Sequence, residues 1–147
     1  RLPNPDRLLA AMAAEIDDKD SQTHLVAICL TLFAHFERLI PAMMQSGSHP
    51  GFQDHLGNAS DRSKVVPVQV IGALTDLIGR LTHKAGLVCK DPNLVARCLA
   101  GAIYHFAFFA FLGLDLGQTR TAEAYITDLV DLIWRGLEPT TADDGHD

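Results

Sequence analysis

Seven histidines, three cysteines and one Ser-Gly-Ser-His run are the residues of this chain whose types could do chemistry. The run Ser46-Gly47-Ser48-His49 sets a hydroxyl beside an imidazole. Adjacency in sequence does not make triad geometry, and Gly and Ser are ordinary loop residues. His49 and His55 share the same loop, but a metal there would want further ligands that the neighbourhood does not offer. Cys29, Cys89 and Cys98 form an odd set with no C-x-x-C spacing, so they read as reduced thiols and not as a disulfide framework or zinc site. The chain holds no H-E-x-x-H, G-x-S-x-G or G-x-G-x-x-G pattern and no phosphate loop. With no acid, base, nucleophile or metal set converging, the expectation is a protein that is not an enzyme and carries no catalytic residue, no metal and no cofactor.

His35 and His105 stand apart because each lies within an apolar helical stretch. Two readings apply to them and to Tyr104. Each is a core or interface residue satisfied by one partner, or each is a polar contact inside an otherwise apolar ligand pocket.

The elements that must position these residues are helical throughout. The only β-branched density, Lys64 to Val68, contains Pro67, which would remove a ladder donor. A first helix is expected from about Pro5 to Asp17, with Asn4 as N-cap and Leu8, Leu9, Met12 and Ile16 on one face. A long second helix runs from about Ser21 to Gln45, and its apolar side is too broad for one neighbour. Pro41 should kink or break it. The stretch from Ser46 to Ser63 has loop composition, with a short helical turn near Phe52 and Leu56. A third helix spans about Val66 to Ala85, closed by Gly86 in the left-handed position. Asp91 and Pro92 are a cap and first residue for a fourth helix, apolar nearly all round until Gly113. Thr121 and Glu123 open a last helix that reaches Arg135, with Asp128, Asp131 and Arg135 on its wet side and Gly136, Leu137 and Pro139 stopping it. The expected fold class is therefore all-α, a bundle of about five to six helices forming one domain over residues 1–139, with a frayed tail over 140–147.

Composition bounds the function. Hydrophobic residues make up 48% and charged residues 20%, a globular balance, and the formal net charge is -6. Twelve basic residues scattered against eighteen acidic ones leave no stripe to displace counterions from duplex phosphates, so this chain should not grip DNA by itself. From Cys98 to Leu114 no charged residue occurs, but Tyr104 and His105 sit mid-run and no Lys/Arg asymmetry marks its ends. A protein-covered helix is expected there, with no membrane partner. The N-terminus Arg-Leu-Pro-Asn-Pro-Asp shows no apolar signal region, which fits a cytoplasmic protein, and it lacks Met.

The order and spacing of these signals resemble the regulatory domain of the TetR family of bacterial transcriptional regulators. The stretch Lys90-Asp91-Pro92-Asn93-Leu94-Val95-Ala96-Arg97-Cys98-Leu99-Ala100-Gly101 is similar to that family's opening of the penultimate helix. Ala85-Gly86-Leu87-Val88 resembles the preceding helix exit, and Ala124 to Leu137 resembles the final helix. The likeness covers Ala85 to Pro139 well and the second helix moderately. It implies a homodimer whose last two long helices form a four-helix bundle, through Leu99, Ile103, Phe106, Ile126, Leu129 and Ile133. It implies that residues 1–18 are a linker helix from a helix-turn-helix headpiece absent from this chain, which alone would contact operator DNA. The function implied is that of a regulator, a repressor by type, controlled by a small apolar effector. The broad faces point to one apolar cavity per subunit between the second, third and fourth helices, lined by Phe33, Phe36, Ile40, Met44, Leu74 and Ile78. His35, Tyr104 and His105 would supply its polar contacts. The alternative is a stand-alone helical dimer that binds or carries a hydrophobic small molecule.

Overall fold

The computed structural model describes residues 2–16, 20–46, 65–114 and 120–141. Within them the chain is all-α apart from one minimal strand pair. Its five helices are α1 (Asp6–Ala13), α2 (Ser21–Ser46), α3 (Val66–Lys84), α4 (Pro92–Phe111) and α5 (Ala122–Arg135). The strands β1 (Leu87–Val88) and β2 (Glu138–Pro139) pair antiparallel.

Local chemistry sets most of the ends. The Asp20 carboxylate accepts from the Thr23 amide (3.1 Å) and hydroxyl (3.3 Å) and so caps α2. Asp91 accepts from the Leu94 amide (3.0 Å), with Pro92 in the first turn of α4. Thr121 accepts from the Ala124 amide (3.1 Å) to open α5. Gly113 (φ 70°) closes α4: its amide reaches the Ala110 carbonyl and the Leu114 amide reaches that of Phe109, the two bonds of a Schellman closure. Gly86 (φ 69°) takes the left-handed position after α3 as its sequence predicts.

Three expectations need correction. The first helix ends at Ala13, short of Asp17, and Pro5 is its cap residue while the Asn4 side chain accepts from the Asp6 amide (2.8 Å). The Arg80 guanidinium of α3 occupies this end, donating to the carbonyls of Met12 (2.7 Å) and Ala14 (3.2 Å). Pro41 does not break α2, which runs on to Ser46. The carbonyl it orphans belongs to Glu37, on the exposed side where water can satisfy it, while Ile40 beside it is buried. Beyond α5, β2 pairs with β1 and the Thr140 amide donates to the Gly86 carbonyl (2.7 Å); most of the expected tail over 140–147 lies outside the described residues. As expected, α5 stops at Arg135, with Gly136 (φ -78°) as its C-cap. Leu132 of α5 is 72% exposed, away from the apolar side where periodicity puts it. The loop calls, with Ser48, His49, His55, Phe52 and Leu56, lie outside the described residues.

Packing centres on α2, which touches every other helix, while α4 lies against α2 and α3. Leu25, Leu32, Leu74, Leu77, Ile78, Leu81, Leu99, Ile103, Ile126 and Val130 are fully buried, and Leu8 and Met12 bring α1 into the same core. Helices α2 and α4 are each long and apolar enough to cross a membrane by length and composition alone. Core helices satisfy that test equally.

Candidate functional site

The two faces of α2 do different things. Phe33, Phe36 and Ile40 turn toward α4. Phe33 packs on Phe106 (5.8 Å between centroids), and Phe36 meets Tyr104 edge-on (5.3 Å). Phe106 in turn stacks on Tyr125 of α5 (4.5 Å), whose hydroxyl donates to the Ala102 carbonyl (3.4 Å). These contacts fill space between helices, and offset or edge-to-face aromatic pairs contribute about 0.5–1.5 kcal/mol beyond their buried area.

The opposite side carries Thr31, Ala34, His35 and Arg38 at helical spacing, facing α1. Between the two helices lies a cleft of about 350 Å³, lined by these four residues together with Leu30 of α2 and with Asn4, Arg7 and Leu8 at α1. Its floor is apolar and its rim cationic. A volume of that size lies within the range of small-molecule sites.

His35 is the chemically unusual member. It is only 2% exposed, and its Nδ1 has no hydrogen-bond partner among the described residues. A buried polar atom left unpaired costs about 1–3 kcal/mol. Burial lowers its pKa, and the neighbouring Arg38 charge lowers it further, so the ring is neutral at pH 7. A neutral imidazole offers one N–H donor and one acceptor.

The residues expected to share one apolar cavity are dispersed. Leu74 and Ile78 are solid core at 0% exposed, and Ile40 is buried against the bundle. Phe33, Phe36 and Tyr104 belong to the α2–α4 aromatic seam, while Met44 is half-exposed near the end of α2. His105 sits on the exposed side of α4 with its ring against Phe109 (4.5 Å), and it shares no site with His35. Of the expected lining, only His35 reaches the α1–α2 cleft. Asn4, Arg7, Thr31 and Arg38 were missed because charged and polar helix residues read as solvated surface. The spacing of Thr31, His35 and Arg38, a polar stripe on an otherwise apolar helix, was the available signal.

The expected dimer residues also divide. Leu99, Ile103 and Ile126 are 0% exposed, within the core of the chain. Phe106 is engaged with Phe33 and Tyr125, and Leu129 and Ile133 pack partly onto the core. The exposed side of α4 is instead Leu94, Cys98, Gly101, His105 and Leu112.

Among the described residues no group of three or more His, Cys, Asp or Glu could hold a metal ion. Cys29 is fully buried, and burial pushes its thiol up to about 12. No protein-family description, curated protein or solved structure matches this chain.

Proposed function

We propose that this chain is the effector-binding, dimer-forming regulatory domain of a TetR-type transcriptional regulator, acting with a helix-turn-helix headpiece outside this chain. The observation that supports it most is the one-sided covering of α4. Its buried residues Ala96, Leu99, Ala100, Ile103 and Ala107 face the subunit core. On its other side Leu94 is 57% exposed and Leu112 45%, and Phe111 and Leu114 at its end and Leu132 on α5 are exposed as well. Exposed large apolar side chains along α4 fit an interaction face, and a second copy presenting the same face would cover it by isologous packing.

The order of capped helices and the cleft beside α1 fit the same reading. In it, α1 leads toward the headpiece, so a ligand wedged between α1 and α2 acts on the element that sets headpiece spacing. Such a ligand shifts the DNA-competent equilibrium only by its difference in affinity for the two arrangements.

The reading frame upstream of Arg1 is the test. About 50 residues folding as a helix-turn-helix are expected there. An upstream stop codon with no such segment overturns the regulatory reading and favours a stand-alone carrier, which the cleft would also serve.

A further inference from the structure

We propose that the cleft between α1 and α2 binds a small carboxylate carrying a short apolar tail, its head held by Arg7 and Arg38. Six arginines are described in the structure, and four of them are engaged. Arg80 donates to the carbonyls of Met12 and Ala14, Arg97 to the Asn93 side chain, Arg120 to Asp128 and Arg135 to Asp131. The two left without a carboxylate, carbonyl or amide acceptor among the described residues are Arg7 and Arg38, and both line this one cleft. In a chain of net charge -6, two unpartnered guanidiniums on facing helices are a local cationic focus against the overall balance.

The second observation is the remaining lining of the cleft. His35 lines the cleft but is only 2% exposed and its Nδ1 is closed to solvent, so the head rests on the two guanidiniums. Guanidinium is a fork that matches a carboxylate in geometry as well as charge. Thr31 and Asn4 add side chains that can donate, and Leu8, Leu30 and Ala34 provide the apolar wall that sets the tail.

This inference rests on the effector-binding reading and gives the effector a chemistry that differs from a purely apolar molecule. Octanoate serves as the probe, with 1-octanol and octylammonium as its uncharged and opposite-charged counterparts, in calorimetric titrations of this chain. Octanoate is expected to bind once per chain and at least about tenfold more tightly than octanol, with octylammonium weaker still. Arg7→Gln and Arg38→Gln, both at exposed positions, should each weaken octanoate about tenfold while leaving octanol unchanged. Octanol binding as tightly as octanoate, variants that keep wild-type octanoate affinity, or no octanoate binding at millimolar concentration would each overturn the assignment. Sedimentation of the same samples reports the dimer separately, so loss of the dimer reading and loss of the anion site are distinguishable.

Discussion

Replacing Arg80 with Ala should loosen α1 while leaving the rest of the bundle in place. An eight-residue helix spans about 12 Å and is far below the length at which a helix holds itself in water. Its attachment is Leu8 and Met12 in the core plus the two Arg80 bonds to its terminal carbonyls, at 2.7 and 3.2 Å. Hydrogen bonds from a charged donor contribute about 1.5–3 kcal/mol when shielded. Arg80 is exposed, so solvent screening reduces the pair to about 1.5–2 kcal/mol in total. Every 1.4 kcal/mol is tenfold, so α1 amides such as Leu9 and Ala14 should exchange hydrogen about 10- to 30-fold faster. Amides of α5 should be unchanged. Arg80→Lys keeps the charge but loses the fork, and should recover part of the protection. Unchanged α1 exchange in Arg80→Ala, or equal acceleration in every helix, would refute the view that this side chain is a local clasp.

Three further outcomes follow from the same geometry. The folded pKa of His35 is below its ordinary value of 6.5, so its contribution is complete above about pH 6.5 and is lost as pH falls toward the lowered value. His35→Leu should flatten that acid-side loss in urea melts at fixed protein concentration and, by removing an unpaired polar atom, hold stability level or raise it by about 1 kcal/mol; an unaltered pH slope contradicts this. Cys29, fully buried with its thiol at about 12, should resist a thiol reagent at pH 8 in the folded protein while exposed Cys98 reacts, and Cys98 should react more slowly as rising concentration covers α4; prompt labelling of Cys29 by mass spectrometry would count against the core assignment. This chain alone should show no sequence-dependent shift on duplex DNA by anisotropy at about 150 mM salt, and a specific complex would contradict the charge argument.

The helix ends were legible because caps act locally. Asp91-Pro92, Thr121, Gly86 and Gly113 each commit a few neighbouring backbone groups, and the structure uses all four. The end of α1 was not legible, since the side chain that receives it, Arg80, is 66 residues from Ala14 in sequence. Nor was the pairing of Leu87–Val88 with Glu138–Pro139, because two residues cannot display a period. The failure over α4 has a different cause. A helix apolar all round carries no phase information, so the sequence did not show that Leu99 and Ile103 are buried in the chain while Leu94 and Leu112 lie exposed. At the cleft, His35 stood out as polar among apolar residues, while Arg7 and Arg38 became visible only when folding brought α1 against α2.

Sedimentation equilibrium of this chain beside Leu132→Glu addresses the proposed two-fold association through α4 and α5 most directly. Leu132 is 72% exposed in the subunit, so the substitution spares the fold. In a two-fold dimer it acts twice, and each lost Leu burial is worth at least about 1.5 kcal/mol, so association should weaken by about 3 kcal/mol, or 100-fold. The expected result is twice the chain mass at micromolar concentration for the wild type and a shift toward single chains for Leu132→Glu with unchanged helicity. A monomeric wild type, or a variant dimer as tight as the parent, would contradict it.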